Sequence, residues 1–493
     1  MRLKETNHTK SNFSSDVLTL VTGTTIGFII TILASPLITR LYGPQAFGLL
    51  ALFTSITSII SVITCMRYEL AIMLPDSDEE ATNVFGLSLI FVIIVSIASI
   101  PIFMLFQQPL IHFLKAPQLG AFFWLIPPVI LINGIYLALN YWNTRTKHFS
   151  RLSIARLMGS CSNTGTQLGM GFLGNTSGGV LIGASIFGQI VSTLTLGIQI
   201  IRDHLSFFKQ NITQKGMVRV LKRYSNFPKY DIWSALLNTV SWQIPIFLLS
   251  YFFTTIIVGY YSFGMMMIQL PMNLIGGAIA QVFYQRATEA QIERSLRPLV
   301  ENIFEILVKI GLFPMMILLL IGKDIFLVVF GSQWGTAGMF VQILSIWAFV
   351  WFISSPLSTI VSVLEKQSWG LYLNILIFST RVISLVIGGI IGNVLIALGL
   401  FSISGFIVYG YLCIKTMEYA KIPIKYSFKV ISSNLIKIIP AGVVLLLLEL
   451  FSVNSFIIVF FAFAFGLIYY VYLIKNEPFL YSLFSQNIMK HNK

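Results

Sequence analysis

Three cations interrupt long apolar runs of this sequence: Lys309, Arg381 and Lys437. Arg381 stands deepest, about eleven residues into its run, or roughly 16 Å at 1.5 Å per helical residue. A cation at that depth in a membrane costs about 2.5–3.5 kcal/mol on insertion scales, so its presence asks for a use. A guanidinium there can hold a carboxylate or a phosphate through paired hydrogen bonds. The plainer account is an internal ion pair, or a side chain capped by backbone carbonyls. Lys309 lies about 10 Å inside its run and has Glu305 one turn earlier for an i,i+4 pair. Arg67 and Arg286 each close another apolar run, Glu69 is placed to orient Arg67, and Arg40 follows a third run. Asp231, Asn238, Trp242 and Gln243 give one run a polar side, which inside lipid should face water or a partner helix. The predicted binding residues are thus Arg381, Lys309, Arg67, Arg286, Arg40, Asp231, Asn238 and Gln243, with Asp231, Glu305 or Glu449 as acids for coupling to Na+ or H+.

No constellation for covalent chemistry accompanies them. His8, His112, His148, His204 and His491 lie in tails or loops without ligand spacing, and no glycine-rich phosphate loop is present. Cys65, Cys161 and Cys413 show no metal spacing and read as packing residues. The sequence predicts no metal, no cofactor and no enzyme.

The elements that must hold these residues are membrane helices. The chain of 493 residues is 56% hydrophobic and only 10% charged, with mean hydropathy +0.84. A soluble domain is about 25% charged, and disordered, collagen-like and disulfide-stapled classes fail on the same figures. Runs of about 20 apolar residues fall near 17–39, 46–66, 83–106, 121–141, 151–173, 177–201, 232–253, 260–283, 302–321, 336–364, 370–392, 394–416, 430–451 and 455–474. The expected fold is therefore all-α and polytopic, with about fourteen transmembrane helices. The alternation in polarity that transmembrane strands require is missing. Of the 32 Lys and Arg, 26 fall in the two tails, in every second loop and at the run ends beside those loops, and 3 in the alternate loops. Cytoplasmic loops are the basic ones, so both termini are expected inside. The +14 net charge reports topology and not nucleic acid. Arg2, Lys4 and Lys10 precede the first run, which is too long for a signal peptide and reads as an uncleaved helix.

A weak repeat divides the chain. Pro36 matches Pro245, Gly48 matches Gly259, the run from Leu110 to Gly120 matches that from Ile325 to Gly335, and Lys147 matches Lys366. Six helices per unit is even, so the predicted architecture is two parallel six-helix bundles related by a pseudo-twofold axis, a transporter arrangement with its site between the halves. The parts are residues 1–201, a basic connector 202–230, a second half 231–416, and 417–493 with two additional helices. Paired kinks are expected at Pro36 and Pro245, and a further bend of the fourth span at Pro127-Pro128. Ser77 and Glu80 form a capping box, to which no further role is assigned. Arg145, Lys147, Arg151 and Arg156 are expected to face anionic headgroups.

Three segments resemble a known family. Pro36-Leu-Ile-Thr-Arg40-Leu-Tyr-Gly43-Pro-Gln-Ala-Phe47-Gly48 is similar to the first-loop motif of polysaccharide and O-antigen flippases. Arg67-Tyr-Glu69-Leu-Ala-Ile-Met-Leu-Pro75 resembles the close of their second span, and Asp324-Ile-Phe…Phe330-Gly331…Trp334 their ninth-to-tenth span segment. The resemblance covers spans one to twelve and implies the polysaccharide-transporter branch of the multidrug/oligosaccharidyl-lipid/polysaccharide exporter superfamily. It implies an undecaprenyl-diphosphate-linked oligosaccharide as substrate and an inner-membrane location, and it allows a polysaccharide polymerase machinery as partner. On this reading the buried cations meet the diphosphate, and Trp347 and Trp351 either stack on sugars or pack. Competing readings are a lipid II flippase, a multidrug or cation antiporter of the same superfamily, and a membrane polymerase or ligase. The mostly cationic buried charges oppose the antiporter, and the short outer loops oppose the enzyme.

Overall fold

A computed structural model describes residues 13–293 and 295–476. Arg2, Lys4, His8, Lys10 and His491 lie outside the described residues. The described chain is helical throughout, in two compact units, residues 1–262 and 263–493. In the first unit lie α1 (Phe13–Leu41), α2 (Pro44–Ser61), the one-turn α3 (Tyr68–Ala71), α4 (Asp78–Leu114), α5 (Ile126–Arg145), α6 (Phe149–Phe172), α7 (Gly178–Asn211), α8 (Gln214–Arg223), α9 (Ile232–Phe252) and the start of α10 (Thr255–Pro271). The second holds the end of α10, then α11 (Gly277–Ile292), α12 (Leu296–Ile325), α13 (Gly335–Ser354), the short α14 (Ile360–Val363), α15 (Gln367–Ile391), α16 (Val394–Tyr419), α17 (Ile424–Leu450) and α18 (Ser455–Asn476). The compact units thus divide the chain at a different place from the expected six-helix repeat, and α9 packs on α2 and α4.

Every expected span coincides with a helical segment, and among the described residues eleven helices are long and apolar enough to cross a membrane. Three segments fall short of that measure for physical reasons. The apolar stretch of α1 is short, Thr25–Leu41. The stretch 255–292 is broken after Pro271 by a wide turn over Met272–Gly276. α6 carries Ser160, Asn163, Thr164 and Gln167 along its length.

Several sequence expectations change at atomic detail. Pro127 and Pro128 sit in the first turn of α5, where a 3-10 turn over Pro117–Leu125 gives way to α-helix. They start that helix instead of bending it, because a first turn needs no donor from proline. Ser77 does cap α4, accepting from the Glu80 N–H at 3.2 Å, but the acidic loop also does more. Asp78 takes Arg145 Nε and Nη2 at 3.2 and 3.1 Å, and Glu80 takes Arg223 through both carboxylate oxygens. Arg145 further donates to the carbonyls of Ile72 and Pro75, and Arg151 pairs with Asp203. Arg145 and Arg151 therefore tie the basic loops together where headgroup contact was expected.

In the first unit, α6 packs against α1 and α7, and Trp142, Phe85 and Phe208 centre a core at the basic end. In the second, α12 packs against α13, α17 and α18 around Phe304, Phe313 and Phe352. Trp347 and Trp351 are buried and stacked at 5.7 Å, so they pack. The many exposed Leu, Ile and Phe of α4, α15, α17 and α18 form a surface that lipid, not water, would cover.

Candidate functional site

The Arg67-Tyr68-Glu69 motif leaves α2 through an unusual turn. Met66 and Arg67 both adopt left-handed backbone, φ 51 and 63, which costs a non-glycine residue about 1–2 kcal/mol. Such strain persists where surrounding structure over-determines it, and here the reward is side-chain aim. Arg67 Nε donates to Asp231 Oδ2 at 2.6 Å, and Nη1 lies 3.3 Å from Glu69 Oε1. Asp231 ends a wide turn over Phe227–Asp231 that leads into α9. Two carboxylates thus share one guanidinium.

Glu69 is the buried partner, 2% exposed, and its Oε2 has no hydrogen-bond partner among the described residues. Burial pushes its carboxyl up to about 7; its own backbone hydrogen bond and Arg67 oppose the rise, and Asp231 adds to it. Near neutrality Glu69 therefore stands between its charged and neutral forms, and the cluster between net −1 and zero. The Tyr141 hydroxyl of α5 lies within electrostatic reach of the same three groups.

From this cluster a polar seam runs along α9 and its neighbours. Ser55 of α2 donates to Gln243 Oε1 at 2.8 Å, and Asn133 of α5 donates to Ser61 at 3.1 Å. Asn238 is exposed and Trp242 half-buried, one turn apart on one face of α9. At the far end of the seam α2 and α10 cross so closely that a methyl group at Gly48 would strike the Thr255 carbonyl, and one at Gly259 the Pro44 carbonyl. Ser250 of α9 donates to the Leu114 carbonyl nearby in sequence to Lys115, whose Nζ stands 5.6 Å over the Tyr251 ring.

Of the other predicted residues, Arg40 belongs to the first unit and Arg286, Lys309 and Arg381 to the second. Arg40 is exposed in the last turn of α1, and Arg286 is exposed on α11. Lys309 forms the expected ion pair with Glu305, at 2.7 Å. Arg381 is 4% exposed on α15; its Nη2 meets the Tyr409 hydroxyl at 3.2 Å and its guanidinium stands 5.8 Å over the Phe401 ring. Of the eight predicted binding residues the structure joins Arg67 directly to Asp231 and places Asn238 and Gln243 on the same helix. Sequence reasoning missed Ser55, Ser61 and Asn133, and the polar length of α6. The amide of Asn133 in the apolar run of α5 and the density of Ser, Thr and Asn in α6 were the available signals.

Comparison with known proteins sets this geometry in a family. A comparison with curated proteins gives no significant match. Among solved structures, the chain is similar to a lipid II flippase, MurJ, in an inward closed conformation, with TM-score 0.69 and 13% identity over 92% of this chain and 99% of that one. It is also similar to a multidrug resistance transporter of the MATE family and the MOP superfamily. The inward-facing form gives TM-score 0.65 and 15% identity over 82% of this chain and 98% of that one. The outward-facing form gives TM-score 0.53 and 16% identity over 84% and 96%. At these identities the likeness establishes the fold. The sequence model described as polysaccharide biosynthesis protein matches residues 37–339, from the end of α1 into α13. Matched over most of its length on a helical transporter fold, the chain belongs to the polysaccharide biosynthesis protein family.

Proposed function

We propose that the protein is a flippase that carries an undecaprenyl-diphosphate-linked oligosaccharide from the cytoplasmic to the outer leaflet of a bacterial inner membrane, by alternating access driven by an ion gradient. The observation that carries this reading is Arg67 shared between Glu69 and Asp231 at the head of a polar seam. A diphosphate arriving at Arg67 exchanges one anion for another, so the guanidinium is never stripped of a counter-charge. That exchange avoids the large penalty of an unpaired charge in a low-dielectric site. Asp231, Asn238 and Gln243 then offer hydrogen bonds to the sugar head, while the lipid tail stays in the bilayer.

In this proposal both termini and the 202–230 connector are cytoplasmic, and residues 1–201 and 231–416 are the repeated halves, with 417–493 added. Arg286 assists capture, Arg40 marks the exit, and Lys309 carries charge on α12. Arg381 contributes positive potential from inside α15. Coupling runs through Asp231, beside the titrating Glu69, or through Glu305. The family and the flippase fold favour this reading. The two carboxylates around one cation specifically favour a second reading, a cation antiporter of the same superfamily. Deletion in the host followed by lipid-linked glycan analysis separates them. Accumulation of the undecaprenyl-diphosphate glycan in the inner leaflet is the expected result, and unchanged glycan with altered sensitivity to organic cations would favour the antiporter.

A further inference from the structure

α12 is interrupted twice, and each interruption is repaired from another helix. Pro314 has no N–H, so the Ile310 carbonyl loses its intrahelical donor and is pushed aside by the proline ring. The Tyr470 hydroxyl of α18 donates to that carbonyl at 3.0 Å. Its neighbour Tyr469 donates to the Lys309 carbonyl at 2.7 Å and stacks on Phe313, with centroids 4.7 Å apart and planes at 11°. The second interruption is at Ile321, φ −125 and ψ 23, where Gln342 of α13 donates to the carbonyls of Leu320 at 2.8 Å and Leu319 at 3.3 Å. The proline of α1 is treated differently. Ser35, its immediate neighbour, donates to the Ile32 carbonyl at 2.7 Å, so the carbonyl freed by Pro36 is satisfied within its own helix. A kink held by its own helix travels with it, whereas one held by a neighbour changes when the neighbour moves.

We propose that Tyr469 and Tyr470 are positioning residues of the transport cycle: they latch the Pro314 hinge of α12 and so set the placement of Lys309. The last two helices, which follow the repeat, thereby govern a moving part of the second unit. Lys309 holds Glu305 at 2.7 Å in the turn just before the latched carbonyls, so a change at the hinge reorients a charged pair. This inference rests on the geometry of α12 and not on the identity of the substrate. Tyr470 carries more of the latch than Tyr469, because the Lys309 carbonyl keeps its own helical donor at Phe313 while the Ile310 carbonyl has none.

The test is a cycle of Tyr470→Phe and Pro314→Ala in the full chain, reconstituted in lipid and spin-labelled at positions 302 and 319 on either side of the hinge. Losing one hydroxyl-to-carbonyl bond should shift the populations of bent and straighter α12 by about fivefold, seen as a moved or broadened distance distribution. The maximal flipping rate should fall by a similar factor with little change in apparent affinity. Pro314→Ala restores the missing N–H, so Tyr470→Phe on that background should be silent in both readouts. Tyr469→Phe should have the smaller effect. If Tyr470→Phe lowers protein abundance, the same cycle is read on abundance, and rescue by Pro314→Ala supports the latch. An unchanged distance distribution in Tyr470→Phe, or equal losses with and without Pro314, would overturn it. The distance readout needs no substrate, so loss of the flippase assignment leaves this test standing.

Discussion

Arg67 and Arg381 are two arginines of one membrane protein in opposite surroundings. Arg67 is strained, partly exposed and held by two carboxylates. Arg381 lies buried beside a phenol hydroxyl and a phenyl ring. A guanidinium among surplus acids can trade one anion for another, while one seated on a ring is part of the packing. Depth in the sequence singled out Arg381 as the sharpest candidate for direct anion binding. Its neighbours Tyr409 and Phe401 belong to α16, and on the proposed function Arg67, among acids, is the candidate for direct capture. Depth alone says that a charge is needed, and the neighbours say for what.

The comparison is sharpened most by Arg381→Ala. It should lower the amount of folded protein in the membrane severely, by about 3 kcal/mol, because it leaves a void and strands the Tyr409 hydroxyl. Arg381→Met, which keeps the bulk, should recover much of the abundance. Normal abundance with lost flipping in Arg381→Ala would erase the distinction between the two arginines.

Arg67→Ala should do the reverse. Abundance stays near normal and accumulation of lipid-linked glycan rises, with flipping reduced about tenfold or more, in line with loss of a charge-assisted contact. Arg67→Lys should recover only part, because a point charge cannot serve two carboxylates and a phosphate with a planar fork. A fully active Arg67→Ala would remove the cluster from the transport path.

The smallest expected effect concerns Glu69. Its carboxyl is raised to about 7 from the usual 4.5, so the folded protein holds this proton more tightly than the unfolded chain does. Stability from this group is therefore greatest below about pH 4.5, declines as pH rises toward 7, and is flat above. Glu69→Gln should remove that slope, raising Tm by a few degrees at about pH 8 and matching the parent near pH 5. Anion capture in the parent should tighten as pH falls through about 7, since the cluster loses its net negative charge, and Glu69→Gln should make capture insensitive to pH. A pH profile identical in the two proteins would show that Glu69 does not titrate there.

What was legible in the sequence follows from how local each signal is. The spans were readable because hydropathy acts over a single helix. So were the Ser77 cap and the Glu305–Lys309 pair, which lie three and four residues apart. The Arg67–Asp231 bond joins residues 164 apart, and nothing in either neighbourhood announces the other. The left-handed turn at Met66 and Arg67 was hidden because no glycine marks it. Pro127-Pro128 misled for a related reason, since a proline pair reads alike whether it bends a helix or begins one. The sequence matches did not fix the register of the expected repeat to the residue. The left-handed residues closing α5 and α14 are Lys147 and Glu365, each followed by an N–H that reaches back five residues, from His148 to Asn143 and from Lys366 to Val361. Those bonds match Lys147 with Glu365, one place from the pairing read in sequence.

The crossing of α2 and α10 carries a mechanical consequence. Gly48 meets the Thr255 carbonyl as Gly259 meets the Pro44 carbonyl, so exchanging the two helices leaves the contact unchanged. Backbone touches backbone at both glycines, with the Thr255 methyl group also beside Gly48. Such a joint resists sliding along either helix, because a glycine displaced by one residue would bring a side chain against a carbonyl, yet it has little to oppose rolling about the local dyad. It behaves as a bearing: fixed in position, free in angle, and convertible into a wedge by a single methyl group.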